Sequence, residues 1–140
     1  SIECARMCPF GEVYAVEYKP EALDILEQNK TRFQTKNLQI IAGRAEEQVQ
    51  HLPVPDCVFL GGSSGAAKQL VAGLRQLRQP VRLVASAVTM ETQAELFPLL
   101  QELPQFEVVQ LAVGCGKTVG NYHVLEGNHP VLLFSCMTKE

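Results

Sequence analysis

The chain has 140 residues, 46% of them hydrophobic, with 12 Lys and Arg against 15 Asp and Glu. That size and composition suit one domain with a real core, and the basic residues form no run or stripe, which argues against a nucleic-acid surface. No apolar stretch approaches the roughly 20 residues that cross a bilayer, and no charged start leads into an apolar run as in a secretory signal.

In chain order, residues 1–7 read as a helix already in progress, with no capping residue or strand ahead of it. A turn at Cys8-Pro9-Phe10-Gly11 leads into a strand, Val13 to Val16, that ends in an acid, Glu17. "KPEALDILEQNKTRF" follows as an amphipathic helix, with Pro20 at its first position and Ala22, Leu26 and Phe33 on one face. "NLQIIAG" is a short strand, "RAEEQVQHL" a short helix, and "PDCVFLGG" an apolar strand closed by glycines. In "SSGAAKQLVAGLRQLRQ", Ala67, Leu70, Val71, Leu74 and Leu77 recur at helical spacing, with Ser63 or Ser64 placed to cap. "PVRLVASAV" is the next strand, and "TMETQAELFPLLQEL" a helix with Thr89 or Thr92 as cap and Pro98 as a kink. "FEVVQLAV" and "HPVLLFSC" are strands separated only by a glycine-rich loop with a short extended stretch, "YHVLE".

Strands alternating with helices imply parallel pairing through right-handed crossovers, and apolar middle strands imply a sheet covered on both faces. The last two strands have no crossover helix between them, so one of them is expected to run antiparallel at an edge. The result is a doubly wound α/β sheet, in which ligands sit beyond the carboxyl ends of the strands. Those ends carry Glu17, the 42–46 segment, the Gly61-Gly62-Ser63-Ser64-Gly65 turn and the 86–89 segment. An acid after such a strand accepts ribose hydroxyls; a solvated carboxylate beside a helix reads the same way. The glycine turn admits a close ligand or simply connects strand to helix. The five cysteines, Cys4, Cys8, Cys57, Cys115 and Cys136, show no framework spacing, and three of them lie in apolar segments where free Cys acts as a small hydrophobe. The expectation is a reduced, cytoplasmic protein.

Five segments carry a family resemblance: "GEVYAVEYKPEALDILEQN", "AGRAEE", "PDCVFLGGSSG", "VASAVTMET" and "GKTVGNYHVLEGNHPVLLF". In order, over nearly the whole chain, they resemble the decarboxylating precorrin-6Y methyltransferases of cobalamin biosynthesis, in their C15-methylating C-terminal domain. The resemblance implies a Rossmann-like class I fold dependent on S-adenosylmethionine (SAM). It also implies a precorrin or cobalt-precorrin substrate, methylated at C15 with loss of the ring-C acetate carboxyl. Residues 1–140 would be a single methyltransferase domain from which a first strand and its glycine-rich loop are missing. That strand would lie centrally, between those ending at Glu17 and Gly61. Relatives of this kind form tetramers, and a C5-methylating tetrapyrrole methylase would be fused to the domain or work with it.

By the same resemblance, Glu17 holds the ribose hydroxyls, Ala45 presents backbone to the adenine, and Gly61 and Gly62 flank the methyl-donor cleft. Arg44 stands where the family usually has an acid, and Ser86 where it often has an amide. Ser63 and Thr89 lie near the substrate, Thr89 also reading as a helix cap and Glu91 as a first-turn acid. A substrate rich in carboxylates calls for basic anchors; Lys117 is the candidate, with Tyr122 and His123 beside it as binding or proton-donating groups or as ordinary packed side chains.

"GCGKT" imitates a phosphate-binding loop, but position 111 is Leu where that pattern needs Gly. Cys4 and Cys8 are four apart, but no His pair has ligand spacing and no C-x₂-C occurs, so no metal is expected. Two alternatives stand beside the main reading. One is a methyltransferase of this fold with another substrate, and the other a non-catalytic assembly domain.

Overall fold

The computed structural model describes residues 1–62 and 65–140. Its contacts divide the chain into two compact units, Ser1–Pro53 and Val54–Glu140.

The first unit contains α1 (Ile2–Met7), β1 (Val13–Glu17), α2 (Pro20–Arg32), β2 (Leu38–Ala42), α3 (Ala45–Gln48) and a 3-10 turn at Val49–His51. β1 and β2 pair in parallel, from Val13 opposite Leu38 to Glu17 opposite Ala42. Ala5, Ala15 and Leu38 form the buried centre, with Ile2, Val13, Leu26 and Ile40 packed on it. One polar side chain ties the entry of the chain to this pair: the Asn37 amide nitrogen donates to the carbonyls of Ala5, Cys8 and Gly11 at 3.0, 2.8 and 3.1 Å. It thereby satisfies acceptors at the end of α1 that the helix itself leaves open. α2 closes in a Schellman motif, in which Thr35 N–H donates to Lys30 O and Gln34 N–H to Thr31 O. Gln34 takes the left-handed position, φ 53°. Phe33 is therefore past the helix rather than on its inner face. Its ring is partly exposed between Arg6 and Arg32, whose guanidinium carbons lie 5.9 and 5.5 Å from the centroid.

The second unit contains β3 (Cys57–Leu60), α4 (Ala67–Gln76), β4 (Arg82–Ala87), α5 (Met90–Leu100), β5 (Glu107–Leu111), β6 (Gly114–Val119), β7 (Tyr122–Gly127) and β8 (Val131–Met137). Its main sheet has the order β3-β4-β8-β5. β3 and β4 are parallel, and β8 runs antiparallel to both β4 and β5. The antiparallel strand is thus inserted within the sheet, not placed at its edge as the chain order suggested. Burial explains the choice: β8 carries Phe134 and Cys136, both buried, whereas every residue of β5 is exposed. The edge falls to the strand with less apolar surface to hide.

Helical spacing was a sound guide to α4, where Ala67, Leu70, Val71 and Leu74 are buried. Leu77 is the residue just past the helix and still packs on the core. The N-cap of α4 is Ala66 rather than a serine, and Ser63 and Ser64 lie outside the described residues. In α5, Thr89 is the cap, its hydroxyl accepting from Thr92 N–H at 3.2 Å. Pro98 sits in the last turn, where it has no N–H to donate to the Ala94 carbonyl, and the helix ends two residues later at Leu100.

Two segments depart from the sequence expectations. The glycine-rich stretch is not a loop but a hairpin, β6 paired antiparallel with β7 from Gly114–Gly127 to Val119–Tyr122. The "GCGKT" run is consequently strand, without the loop and following helix that a phosphate site needs. The cysteines differ as well: Cys136 alone is buried, while Cys57 and Cys115 are exposed. Strand alternation sends neighbouring side chains to opposite faces, so an apolar neighbourhood in sequence did not guarantee burial.

Burial pushes the Cys136 thiol above its ordinary value, with Arg82 opposing. The native state therefore keeps a proton that the unfolded chain releases above about pH 8.5. Stability should fall as pH rises through that region, and Cys136→Ala should flatten the slope. Urea midpoints of both proteins between pH 7 and pH 10, under reducing conditions, check this; parallel slopes would contradict it.

Candidate functional site

Glu17 is the last residue of β1, and its position is held by its own backbone. Its Oε1 accepts from Tyr18 N–H at 2.8 Å and from Lys19 N–H at 2.9 Å. Among the described residues Oε2 accepts nothing and the carboxylate makes no ion pair. A carboxylate fixed through one oxygen and open at the other, at the carboxyl end of a parallel strand, suits the vicinal hydroxyls of a ribose. The residues present therefore fit an adenosine cofactor at this point.

The neighbouring turn is built to the same end. Gly43 N–H donates to Glu17 O at 2.9 Å, extending the β1–β2 ladder by one step. Its φ is +141°, and a Cβ there would lie 2.7 Å from Gln48 Nε2, so the turn requires glycine. Arg44 is the N-cap of α3 and Ala45 its first residue. Arg44 Nε donates to Glu46 Oε1 at 2.8 Å, and its guanidinium carbon lies 5.2 Å from the Tyr18 ring centroid. This contact holds the Glu46 carboxyl below its ordinary range and raises Arg44 further above its own.

In the second unit, Gly61 and Gly62 follow β3 and are exposed. A Cβ on Gly62 would meet nothing within 4 Å, and one on Gly61 would touch only Phe59 at 3.5 Å. Packing does not demand glycine at these positions, and the backbone is left open to approach. Ser63, expected near the substrate, lies outside the described residues. Ser86 Oγ reaches Leu60 O at 3.4 Å, bridging β4 to β3. Thr89 is exposed and caps α5; Glu91 is in the first turn of that helix.

Lys117, Tyr122 and His123 all lie on the β6–β7 hairpin. The register places Lys117 and Val124 in one pair, Val119 and Tyr122 in another, and Thr118 with His123 between them. Lys117 and Tyr122 therefore share one face of the hairpin and His123 takes the other. Lys117 Nζ donates to both carboxylate oxygens of Glu126, each at 3.0 Å. Among the described residues no group of three or more His, Cys, Asp or Glu is placed to hold a metal ion.

Sequence reasoning passed over Tyr18, and it placed Gly43 and Glu46 in the segment at the ligand end of the sheet without giving either a role of its own. An aromatic directly after the strand-ending acid was a readable signal for Tyr18. The pairing of Arg44 with Glu46, and the positive φ of Gly43, depend on how the turn closes and had no marker in the sequence.

βα units ending in a strand inserted antiparallel to its neighbours define a class I SAM-dependent methyltransferase fold, shared with solved members of that class. Within that class the chain belongs to the precorrin methyltransferase domain family, whose model matches residues 1–138. It is 30% identical to the cobalt-precorrin-6B C(15)-methyltransferase (decarboxylating) of Salmonella typhimurium, across 100% of this chain and 73% of that protein. It is also 30% identical to a probable enzyme of the same name from Pyrobaculum calidifontis, across 96% of this chain and 71% of that one. Among solved structures, a precorrin-6y C5,15-methyltransferase from Geobacter metallireducens superposes with a TM-score of 0.86 at 28% identity, covering 96% of this chain and 73% of that chain. No helix among the described residues is long and apolar enough to cross a membrane.

Proposed function

We propose that this chain is a SAM-dependent methyltransferase domain of cobalamin biosynthesis, which methylates a precorrin or cobalt-precorrin at C15 and releases the ring-C acetate carboxyl as carbon dioxide. The observation that carries it is similarity to decarboxylating C15-methyltransferases along the full chain, in a chain whose β1 ends in an open carboxylate. We also propose that the chain acts as one methyltransferase domain, in the cytoplasm, with a C5-methylating methylase fused to it or beside it.

When bound, SAM supplies a methyl group on a positively charged sulfonium. Glu17 Oε2 would accept the ribose hydroxyls and the backbone at Ala45 would face the adenine; on the family resemblance, Gly61 and Gly62 would flank the donor. The macrocycle carbon is itself the nucleophile, so the protein contributes alignment and exclusion of water more than acid–base help. Thr89 would contact the substrate, as the family resemblance also implies for Ser63, which lies outside the described residues. Lys117 anchors one of its carboxylates, exchanging Glu126 for it, and Tyr122 lies on the same hairpin face to bind or donate a proton. His123 points away from that face, so any part it takes in the reaction is played from the opposite side of the hairpin.

Incubation with methyl-labelled SAM and a precorrin-6-type tetrapyrrole tests this reading. The expected product gains one labelled methyl and loses one carbon dioxide. Methyl transfer without loss of carbon dioxide would remove the decarboxylating role, and no transfer by folded protein would remove the substrate assignment.

The hairpin supports a homo-oligomer, a tetramer on the family resemblance. A two-stranded sheet open on both faces is marginal in water, yet this one exposes Tyr122 and Leu125 at 76% and 81%. Another copy of the chain would cover them. Sedimentation should show an oligomer that Leu125→Glu shifts to smaller species; a wild-type monomer would refute this.

A further inference from the structure

We propose that the cleft between the last turn of α2 and the turn into β2 binds a small phosphorylated hydroxy compound, at a site separate from the one at the end of β1. The inference is independent of the function proposed above.

Place comes first. The cleft has a volume of about 320 Å³ and is lined by Glu27, Lys30, Thr31, Gln34, Thr35 and Lys36, a size within the range of small-molecule sites. Val13 N–H donates to Asn37 O, and Val13 lies opposite Leu38. The turn at 35–37 therefore stands at the amino ends of β1 and β2. Glu17 closes the other end of β1, about 13 Å away along the strand.

Folding does not account for the chemistry of this turn. Thr35 follows the left-handed Gln34, at the position where a Schellman motif usually packs an apolar side chain. It is 4% exposed, and its hydroxyl oxygen is buried without a hydrogen-bond partner among the described residues. Valine has the same shape and would avoid that cost. Lys30 and Lys36 border the same cleft, and among the described residues neither makes an ion pair or a side-chain hydrogen bond. The Gln34 amide and the Thr31 hydroxyl are equally unbonded there.

An oxyanion fits those donors. Lys30 and Lys36 supply two point charges, the form in which lysine holds phosphate, whereas the planar fork that suits a carboxylate belongs to arginine. Thr31, Gln34 and Thr35 add neutral donors from the helix and the turn. Gln34 and Lys36, on either side of Thr35, are long and exposed, so they can move to admit a phosphate oxygen to its hydroxyl. The carbonyls that end α2 are already engaged, Lys30 O by Thr35 N–H and Thr31 O by Gln34 N–H. Arg6 and Arg32 add positive charge beside the turn, both at the Phe33 ring. One carboxylate, Glu27, shares the cleft and repels a bare anion. A ligand hydroxyl that donates to it turns that repulsion into a hydrogen bond.

Isothermal calorimetry of the full-length protein at low ionic strength tests the proposal, with glycerol 3-phosphate, inorganic phosphate and glycerol as probes. Wild type should bind glycerol 3-phosphate at millimolar concentration or below, inorganic phosphate about threefold more weakly, and glycerol not at all. Lys30→Met combined with Lys36→Met should weaken both phosphates by at least about tenfold. Thr35→Val should weaken both by about fivefold while raising the thermal midpoint, a combination that a purely structural hydroxyl does not give. Glu27→Gln should remove the advantage of the ester over phosphate. S-adenosylhomocysteine should bind equally to every variant, which separates this site from the one at Glu17. No phosphate binding by folded wild type overturns the proposal, as does binding unchanged by the double lysine substitution or by Thr35→Val. Equal affinity of wild type for the two phosphates overturns the ester in favour of free phosphate.

Discussion

Glu17→Ala lowers the affinity for S-adenosylhomocysteine by at least about a hundredfold, the expected result when a carboxylate that accepts from two ribose hydroxyls is removed. Hydrogen bonds to a charged acceptor contribute about 1.5–3 kcal/mol each, and no other carboxylate stands at the end of β1 to replace them. The substitution also releases the Tyr18 and Lys19 N–H groups that Oε1 now accepts. Because these amides belong to an exposed segment, water takes over their hydrogen bonds and the fold survives. Isothermal calorimetry of both proteins, with circular dichroism as the folding control, checks the expectation. An affinity within a few-fold of wild type would show that the nucleoside is held elsewhere, and the assignment of this strand end would fail with it.

Phe134→Ala costs about 3–5 kcal/mol of stability, a large part of the roughly 5–15 kcal/mol that holds a domain folded. Phe134 is 1% exposed. It lies opposite Ala85 of β4 and Val108 of β5, and its ring stacks on Phe106 at 6.3 Å between centroids. Phe106 in turn meets Phe97 edge-on at 5.9 Å. The small side chain of Ala85 lies opposite the phenyl ring, so it cannot itself fill the cavity that the substitution leaves. Urea unfolding should show the loss as a lower midpoint at unchanged slope. A change below about 1 kcal/mol would mean that β8 is not the strand that closes the core.

The central position of β8 is where sequence and structure part most clearly. The run "HPVLLFSC" reads as an apolar strand, and its pairing with both neighbours could not be read from its order in the chain. A strand is placed by the two ladders it completes. Phe134 and Cys136 gain burial only between β4 and β5, while β5 can stand at the edge with Val108 and Val109 exposed. The same limit applies to the hairpin: Gly114, Gly116 and Gly127 depress strand propensity, so the segment reads as a loop until register with β7 supplies its hydrogen bonds.

Residue chemistry and spacing were enough, on their own, for the alternation of strands and helices, the buried face of α4, a threonine cap on α5 at Thr89 or Thr92, and the acid that ends β1. Each is a local matter of periodicity, cap chemistry or strand end, and each holds whatever the rest of the chain does. The resemblance of the ordered motifs to the precorrin methyltransferases was legible for the same reason, since it rests on the order of residues. Tertiary structure alone decided which Glu17 oxygen stays open, that Arg44 turns to Glu46 and Tyr18, and that Lys117 meets Glu126 while His123 faces away from it. Those outcomes depend on register and on turn closure, which join residues distant in sequence or reverse the chain between near neighbours. A hydrogen bond or an ion pair exists only once backbone geometry has brought its partners within about 3 Å.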